Sequence, residues 1–132
     1  MKNLLIIIAM TSFGRLPLAF GDKSSAPNEK DVTVAINEAF VPGGLDINSE
    51  VYVVASGIFP NGCYRWKGAE VTSSADTIHE IKAMATVKQG MCLMVLIPFN
   101  KEIRLGKFNR GQHTLRFVNG DGTYLEKKVT IE

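Results

Sequence analysis

Residues 50–66, EVYVVASGIFPNGCYRW, determine the fold that we expect for this chain. Residues 50–59 are rich in β-branched side chains, which favour strands. The run ends in the turn sequence PNG at residues 60–62, where proline fixes φ and glycine admits positive φ. The sequence therefore predicts a strand, a turn and a second strand that starts near Cys63.

Strand signals of similar length recur along the rest of the chain. Residues 77–87 have a competing helical interpretation because residues 80–85 are good helix formers, but their Thr, Ile and Val content favours a strand. Residues 91–99, MCLMVLIPF, are almost wholly apolar and predict a strand that is covered on both faces and closed by Pro98. The other predicted strands are residues 32–36, 63–71, 102–108, 113–118 and 124–131.

Turn residues separate these strands, and the sequence NGDG at residues 119–122 is a strong hairpin signal. Polar residues 72–74 are predicted to follow the strand that starts near Cys63. Seven or eight short strands without a convincing long helix predict an all-β, antiparallel two-sheet sandwich of immunoglobulin-like type. We expect one such domain over residues 31–132.

The amino-terminal residues differ from the rest in composition. Lys2 precedes the apolar residues 4–10, Pro17 follows, and residues 19–21 (AFG) place small residues where a signal peptidase reads. We predict a signal peptide over residues 1–21 and a flexible leader over residues 22–30. Cleavage after residues 24–26 and a retained membrane anchor are the alternatives, but the apolar stretch is too short for a spanning helix of about 20 residues.

The charge balance gives no global argument for nucleic-acid binding. Loss of residues 1–21 removes two basic residues and no acid, so 13 basic and 13 acidic residues remain. The charges are uneven: residues 22–50 are acidic and residues 82–116 are basic. Either these segments lie side by side and compensate each other, or a basic face binds an anionic envelope polymer or an acidic partner.

The two cysteines, Cys63 and Cys92, are expected to form one disulfide, because a small exported domain commonly carries such a bond. In the chain-entropy model, closing a loop of this length stabilises the fold by about 3–4 kcal/mol. A disulfide also requires an oxidising compartment. We therefore expect a periplasmic or secreted protein.

The glycine, proline and cysteine pattern resembles that of a known group of domains. The pattern consists of GIFPNGC (57–63), GMC (90–92), PF (98–99), LG (105–106), GQH (111–113) and VNG (118–120). It resembles small secreted or lipid-anchored bacterial immunoglobulin-like domains, in which a cysteine after a Gly-x-x-Pro turn pairs with one before a Pro-Phe strand. The resemblance covers roughly residues 50–120 and implies the fold, but it implies no activity or binding residues. Unlike the lipid-anchored members, this chain has no cysteine at the cleavage site.

Tyr64 and Trp66 share one face of their strand, and Arg65 and Lys67 share the other. If Cys63 points into the core, the two aromatic residues form an exposed patch suited to sugar or peptide contact. If the aromatic residues are in the core, the disulfide is peripheral. The second arrangement is favoured because burial of Arg65 and Lys67 would be costly.

No catalytic or metal-binding set stands out. His79 and His113 each stand alone in a strand-like segment and are interpreted as structural, and no serine has the context of a nucleophile elbow. Residues 91–94 contain soft sulfur ligands but lack the two nearby histidines of a blue-copper site. Residues 119–123 lack the carboxylates of a calcium loop. We predict no cofactor and no catalysis.

The sequence thus favours an exported, non-catalytic binding domain of the cell envelope or extracellular space. Its predicted partner is an envelope or extracellular protein or an anionic polymer, without nucleic acid, and with membrane contact only through an uncleaved signal segment. A structural subunit of an envelope complex is the alternative, followed by a small hydrolase or ligand-binding protein. The candidate binding residues are Tyr64, Trp66, Lys101, Arg104, Lys107 and Arg110.

Overall fold

A computed structural model describes residues 28–132 of the chain. The predicted signal peptide and most of the predicted leader lie outside these residues. The described part contains eight strands: β1 (Glu29–Val34), β2 (Glu38–Phe40), β3 (Val51–Phe59), β4 (Tyr64–Ala75), β5 (Ile78–Lys88), β6 (Ile97–Gly106), β7 (Gly111–Val118) and β8 (Tyr124–Ile131). β1 begins at Glu29, so the last two residues of the predicted leader lie in this strand. No helix within residues 28–132 has the length and apolar character needed to span a bilayer.

The strands form two sheets. The larger sheet has the order β1-β5-β7-β8, with β4 on the other side of β5, and the smaller has the order β2-β3-β6. All pairs between these strands are antiparallel except β5 and β7, which are parallel. The prediction of an all-β two-sheet sandwich is confirmed, and the helical alternative for residues 80–85 is wrong because they lie in the middle of β5.

The core lies between the inner faces of the two sheets. Alternate residues of β3 are buried, as the β-branched run predicts for a half-covered strand. In the larger sheet, β5 and β7 supply the side chains that face them. The largest fully buried side chains are Phe117, Ile81, Leu115, Ile131, His113, Val51 and Val53.

The predicted strand over residues 91–99 is wrong for its first six residues. β6 begins only at Ile97, and residues 91–96 form an exposed connection. The physical reason is topological, because the chain must cross here from the larger sheet at β5 to the smaller sheet at β6. Pro98 lies inside β6 rather than after it, and the lack of an N–H is tolerated because β6 is an edge strand.

The end of the strand that starts near Cys63 also differs from the sequence prediction. Residues 72–74, expected to follow the strand, lie within β4, because β4 and β5 form one long hairpin that closes at residues 76–77. The predicted turn at residues 119–122 does form, and it connects β7 and β8. In that turn, the Asp121 carboxylate accepts hydrogen bonds from the Thr123 amide and hydroxyl.

Candidate functional site

The most exposed apolar segment among the described residues is the connection between β5 and β6. We call residues 91–96 the apolar loop. The exposed fractions of its side chains are 99% for Met91, 70% for Leu93, 77% for Met94, 46% for Val95 and 69% for Leu96. These side chains follow one another along the chain, interrupted only by Cys92, so five exposed apolar side chains lie within six residues at an end of the sandwich.

The base of the apolar loop is fixed by covalent and hydrogen bonds. Cys92 forms a disulfide with Cys63 at a Cα–Cα distance of 5.2 Å, which confirms the predicted pairing. The Gly62 amide donates to the Leu93 carbonyl at 2.8 Å, and Gly90 turns the chain out of β5 with a φ of +127°. A left-handed φ of this kind favours glycine. The loop is thus attached at its base to the turn between β3 and β4, with its side chains in solvent.

The start of the described chain lies at the same end of the sandwich. The Gln89 amide donates to the Asn28 carbonyl at 2.8 Å. Three exposed basic residues lie in the adjoining strand ends, and Glu29 pairs in register with one of them. These basic residues are Lys30, Arg65 and Lys88.

Tyr64 and Trp66 face inward, as the favoured alternative predicted. Both are partly buried and pack against the core. The ring of Tyr64 stacks on Phe59 at 5.7 Å, and that of Trp66 lies 5.5 Å from Phe99. The alternative of an outward aromatic patch is wrong, because β4 alternation places Arg65 and Lys67 in solvent instead.

The four basic candidates do not share one face. Lys101 lies on the inner side of β6, in register with the buried Ala55. Arg104 lies on the outer side and pairs with Glu50 at 3.6 Å and Glu102 at 3.3 Å.

The other two candidates, Lys107 and Arg110, are exposed in the connection between β6 and β7. The hypothesis of one basic face is therefore corrected. The pairing of Arg104 with Glu50 agrees with charge compensation between the acidic and basic segments at this point. The binding role of the four residues stays a prediction.

A second feature lies at the opposite end of the sandwich, where two histidines meet inside the larger sheet. His79 Nε2 is 3.0 Å from His113 Nδ1, and the two residues are 8% and 2% exposed. Ser73 Oγ lies 3.0 Å from His79 Nδ1, and His113 Nε2 lies 2.7 Å from the Asn109 carbonyl oxygen. We call these four residues the histidine relay.

The acceptor at one end of the relay determines its hydrogen-bond direction. A carbonyl accepts only, so His113 Nε2 donates to Asn109. With both rings neutral, His113 Nδ1 accepts from His79 Nε2, and His79 Nδ1 accepts from the Ser73 hydroxyl. Phe108 stacks on His79 at 4.1 Å between ring centroids. Burial lowers the pKa of His79 below its ordinary value of 6.5, and the neighbouring His113 lowers it further.

The relay contains a serine that donates to a neutral imidazole, which is the contact that activates a serine nucleophile. Sequence reasoning missed this contact. The hairpin register brings Ser73 opposite His79, and a correct prediction of the β4–β5 hairpin would have revealed it. No local signal points to His113, because it reaches His79 through the parallel pairing of β5 and β7.

The residues considered from the sequence as copper ligands lie in the apolar loop. Within residues 28–132, no group of three or more His, Cys, Asp or Glu residues is placed to hold a metal ion. Cys92 is in the disulfide, so it offers no thiolate to the copper set considered from the sequence. Met91 and Met94 project into solvent at that position.

Comparison with known proteins identifies the family. The family model of the ORF11 β-sandwich domain matches residues 53–131, which span the chain from β3 to the end of β8. The chain belongs to this family. The match includes the apolar loop, both cysteines and the whole histidine relay. No curated protein and no solved structure matches the chain.

Proposed function

We propose that this ORF11 β-sandwich domain is an exported, non-catalytic binding domain of the bacterial cell envelope or extracellular space, with an immunoglobulin-like fold. It docks on its partner through the apolar loop. The sequence supports export through the predicted signal peptide over residues 1–21. The disulfide is consistent with the oxidising environment that a periplasmic or secreted protein meets.

The exposed apolar loop is the observation that carries this proposal. Soluble monomers rarely leave a contiguous apolar surface in water, and such surfaces commonly mark interaction sites. The disulfide and the Gly62–Leu93 hydrogen bond hold the base of the loop in place. A preorganised apolar surface loses less conformational entropy on binding than a loose one. Its two methionines can adapt to the shape of a partner.

The proposal that the domain is non-catalytic requires that Ser73 does not act as a nucleophile. A hydrolase also needs a substrate pocket and donors for the developing oxyanion. Two open surface pockets of about 230 and 320 Å³ lie beside Lys67 and beside Ile58, and neither includes Ser73 or His79. We expect a fluorophosphonate probe to leave Ser73 unmodified, as judged by intact-protein mass spectrometry. Stoichiometric labelling that is lost in Ser73→Ala would overturn this part.

An assembly role is the second candidate, and the β4 edge favours it. β4 is paired only with β5 among the described strands, so its other edge is open over twelve residues. Residues 71–75 of this edge are uncharged. Open edges recruit strands from partners. The register shifts near Lys67 and Ser74 restrict such pairing to short stretches.

The test is crosslinking in the native cell, with a tag after Glu132 and mass spectrometry of the captured material. Met91, Met94 and Leu96 are replaced together by serine in a polar-loop variant. The matched control replaces three apolar side chains that are exposed elsewhere: Phe40, Ile47 and Tyr124. We expect the polar-loop variant to lose the captured material and the control to retain it.

Other results would change the proposal in specific ways. Unchanged capture by the polar-loop variant would exclude the loop as the docking surface. If Thr72→Pro in β4 abolished capture instead, the assembly role would replace the binding role. Loss of capture only in Lys107→Glu/Arg110→Glu would favour an anionic partner and a basic site.

A further inference from the structure

We infer that the surface bound by the apolar loop is a lipid bilayer, into which the loop inserts at the level of the headgroups. This inference rests on the proposed function, since it names the occupant of the same docking surface. It differs from the sequence-based prediction, which allowed membrane contact only through an uncleaved signal segment.

The chemistry of the loop is the first argument. Apart from the disulfide-bonded Cys92, residues 91–96 carry only Met, Leu and Val side chains, with no charge and no hydrogen-bonding group among them. Protein interfaces usually combine an apolar centre with a polar rim and about one hydrogen bond per 100–200 Å². A row of aliphatic side chains without polar partners matches the acyl region of a bilayer better than a protein surface.

The backbone of the loop suits shallow insertion. Unpaired amides and carbonyls are costly in hydrocarbon, so loops enter a membrane only to a limited depth. The Leu93 carbonyl accepts hydrogen bonds from both Gly62 and Val95, at 2.8 and 3.0 Å. The disulfide joins the loop at Cys92 to Cys63, so the side chains can enter while the base stays attached to the sheet.

The path of the chain supplies a second, independent argument. Asn28, the first residue that the structure describes, is bonded to Gln89 directly before the loop, and residues 1–27 precede it in the sequence. Those residues include the apolar run at positions 4–10. A signal segment engages the membrane during export, and the described chain begins at the same end of the domain as the apolar loop.

The charges around the loop fit anionic headgroups. Lys30, Arg65 and Lys88 are exposed at the adjoining strand ends. The nearby acids are Glu29, opposite Lys88, and Asp31, which pairs with Lys67. Long basic side chains can extend to the headgroup level while neighbouring apolar groups enter the membrane. A domain oriented with the loop in the bilayer therefore places three cations beside the lipid phosphates.

The first experiment is vesicle flotation. The protein is recovered from its native cell with its natural amino terminus and mixed with vesicles of phosphatidylethanolamine and phosphatidylglycerol. We expect it to float with the vesicles, the polar-loop variant to show at least tenfold lower partitioning, and the Phe40, Ile47 and Tyr124 control to match the wild type. Failure of the wild type to float, or equal flotation of the polar-loop variant, would overturn the inference.

The second experiment measures depth with tryptophan fluorescence. Trp66 is the single tryptophan of the chain. In a Trp66→Phe background, Met94→Trp places the fluorophore on the loop, and Asp76→Trp places it in the β4–β5 turn at the opposite end. Brominated lipids should quench the first variant and not the second. No quenching at position 94, or equal quenching at both positions, would contradict insertion through the loop.

These results separate the lipid inference from the proposed function. If the polar-loop variant loses a crosslinked protein partner but wild-type protein does not float, the loop binds protein and only the lipid inference falls. If neither flotation nor crosslinking depends on the loop, both fall.

Discussion

The hydrogen bond between His79 and His113 limits how many protons the histidine relay can accept. One proton can be added at His79 Nδ1, because the Ser73 hydroxyl can rotate and accept instead of donating. A second proton, at His113 Nδ1, would place two N–H groups opposite each other at a separation of 3.0 Å. The first proton therefore charges a buried ring, and a second proton would break the hydrogen bond between the two histidines.

This residue-scale argument predicts a pH dependence of stability. The pKa of His79 is lowered from 6.5 in the folded protein, so the unfolded chain binds more protons below that pH. The free energy of unfolding should fall as the pH drops below about 6.5, with a slope of at most about 1.4 kcal/mol per pH unit from this group. Urea unfolding measured between pH 8 and 5 gives this slope.

His79→Gln is the matched variant, because glutamine offers one donor and one acceptor but does not titrate. It should remove the His79 contribution between pH 7 and 5. The carboxylates with lowered pKa, Asp31, Asp46 and Asp121, have an ordinary value of 3.8 and act only at lower pH. An unchanged pH slope in His79→Gln would show that other groups cause it.

His113 should be the most sensitive residue of the relay. His113→Ala removes a ring that is 2% exposed and leaves His79 Nε2 without its acceptor. We expect a loss of about 2–4 kcal/mol in the free energy of unfolding, from the cavity and the unpaired donor together. Ser73→Ala, at the exposed end of the relay, should cost about 1 kcal/mol or less. If urea unfolding showed equal losses of free energy for the two variants, the expectation that the more buried residue contributes more to stability would be contradicted.

At the scale of the element, the sequence predicted strands well where alternation and turn chemistry agree. In β3 the β-branched run, the PNG turn and the alternating burial all agree. The hairpin of β7 and β8 follows from the NGDG turn. These features are local, so one sequence is enough to reveal them.

The apolar loop shows where local reasoning failed. Six residues as apolar as residues 91–96 predict a buried strand, because hydropathy reports the tendency to leave water and not the path of the chain. The order of the sheets decides that this segment is a crossover. The meeting of His79 with His113 was missed for a related reason, since parallel neighbours are far apart in sequence.

Gly57 is the site where β3 passes closest to its neighbours. A Cβ atom there would lie 2.6 Å from the Phe99 ring and 2.7 Å from the Ala35 carbonyl oxygen. We expect Gly57→Ala to lower the free energy of unfolding by about 1–3 kcal/mol, since a packed core does not absorb an added methyl group without strain. Gly43→Ala, which meets no atom within 4 Å, is the control and should change thermal unfolding little.

The disulfide should stabilise the apolar loop as well as the whole domain. Its two cysteines are 29 residues apart, so loss of the bond in Cys63→Ser/Cys92→Ser should cost about 3–4 kcal/mol. Because Cys92 is the only covalent anchor within the loop, hydrogen exchange at residues 91–96 should also become faster. A stability loss without faster exchange there would mean that the Gly62–Leu93 contact alone orders the loop.

At the scale of the whole molecule, the two features lie at opposite ends of one sandwich. Ser73 is ten residues from Cys63 along β4, which is about 30 Å at about 3.3 Å per residue. The apolar loop lies at the end where the described chain begins, and the histidine relay lies at the other end. If the domain docks through the apolar loop, the histidine relay at the opposite end is left with a role in stability. This arrangement agrees with a structural role for both histidines.

This separation predicts that the two ends contribute independently to stability. His113→Gln is combined with Cys63→Ser/Cys92→Ser, and urea unfolding gives the free energy of each single and combined variant. Sites this far apart without shared partners should be additive within about 0.5 kcal/mol. A coupling well above that value would mean that β4 or β5 transmits strain between the ends. Loss of the relay would then also alter how the apolar loop is held, and the proton uptake of His79 would become a means of regulating docking.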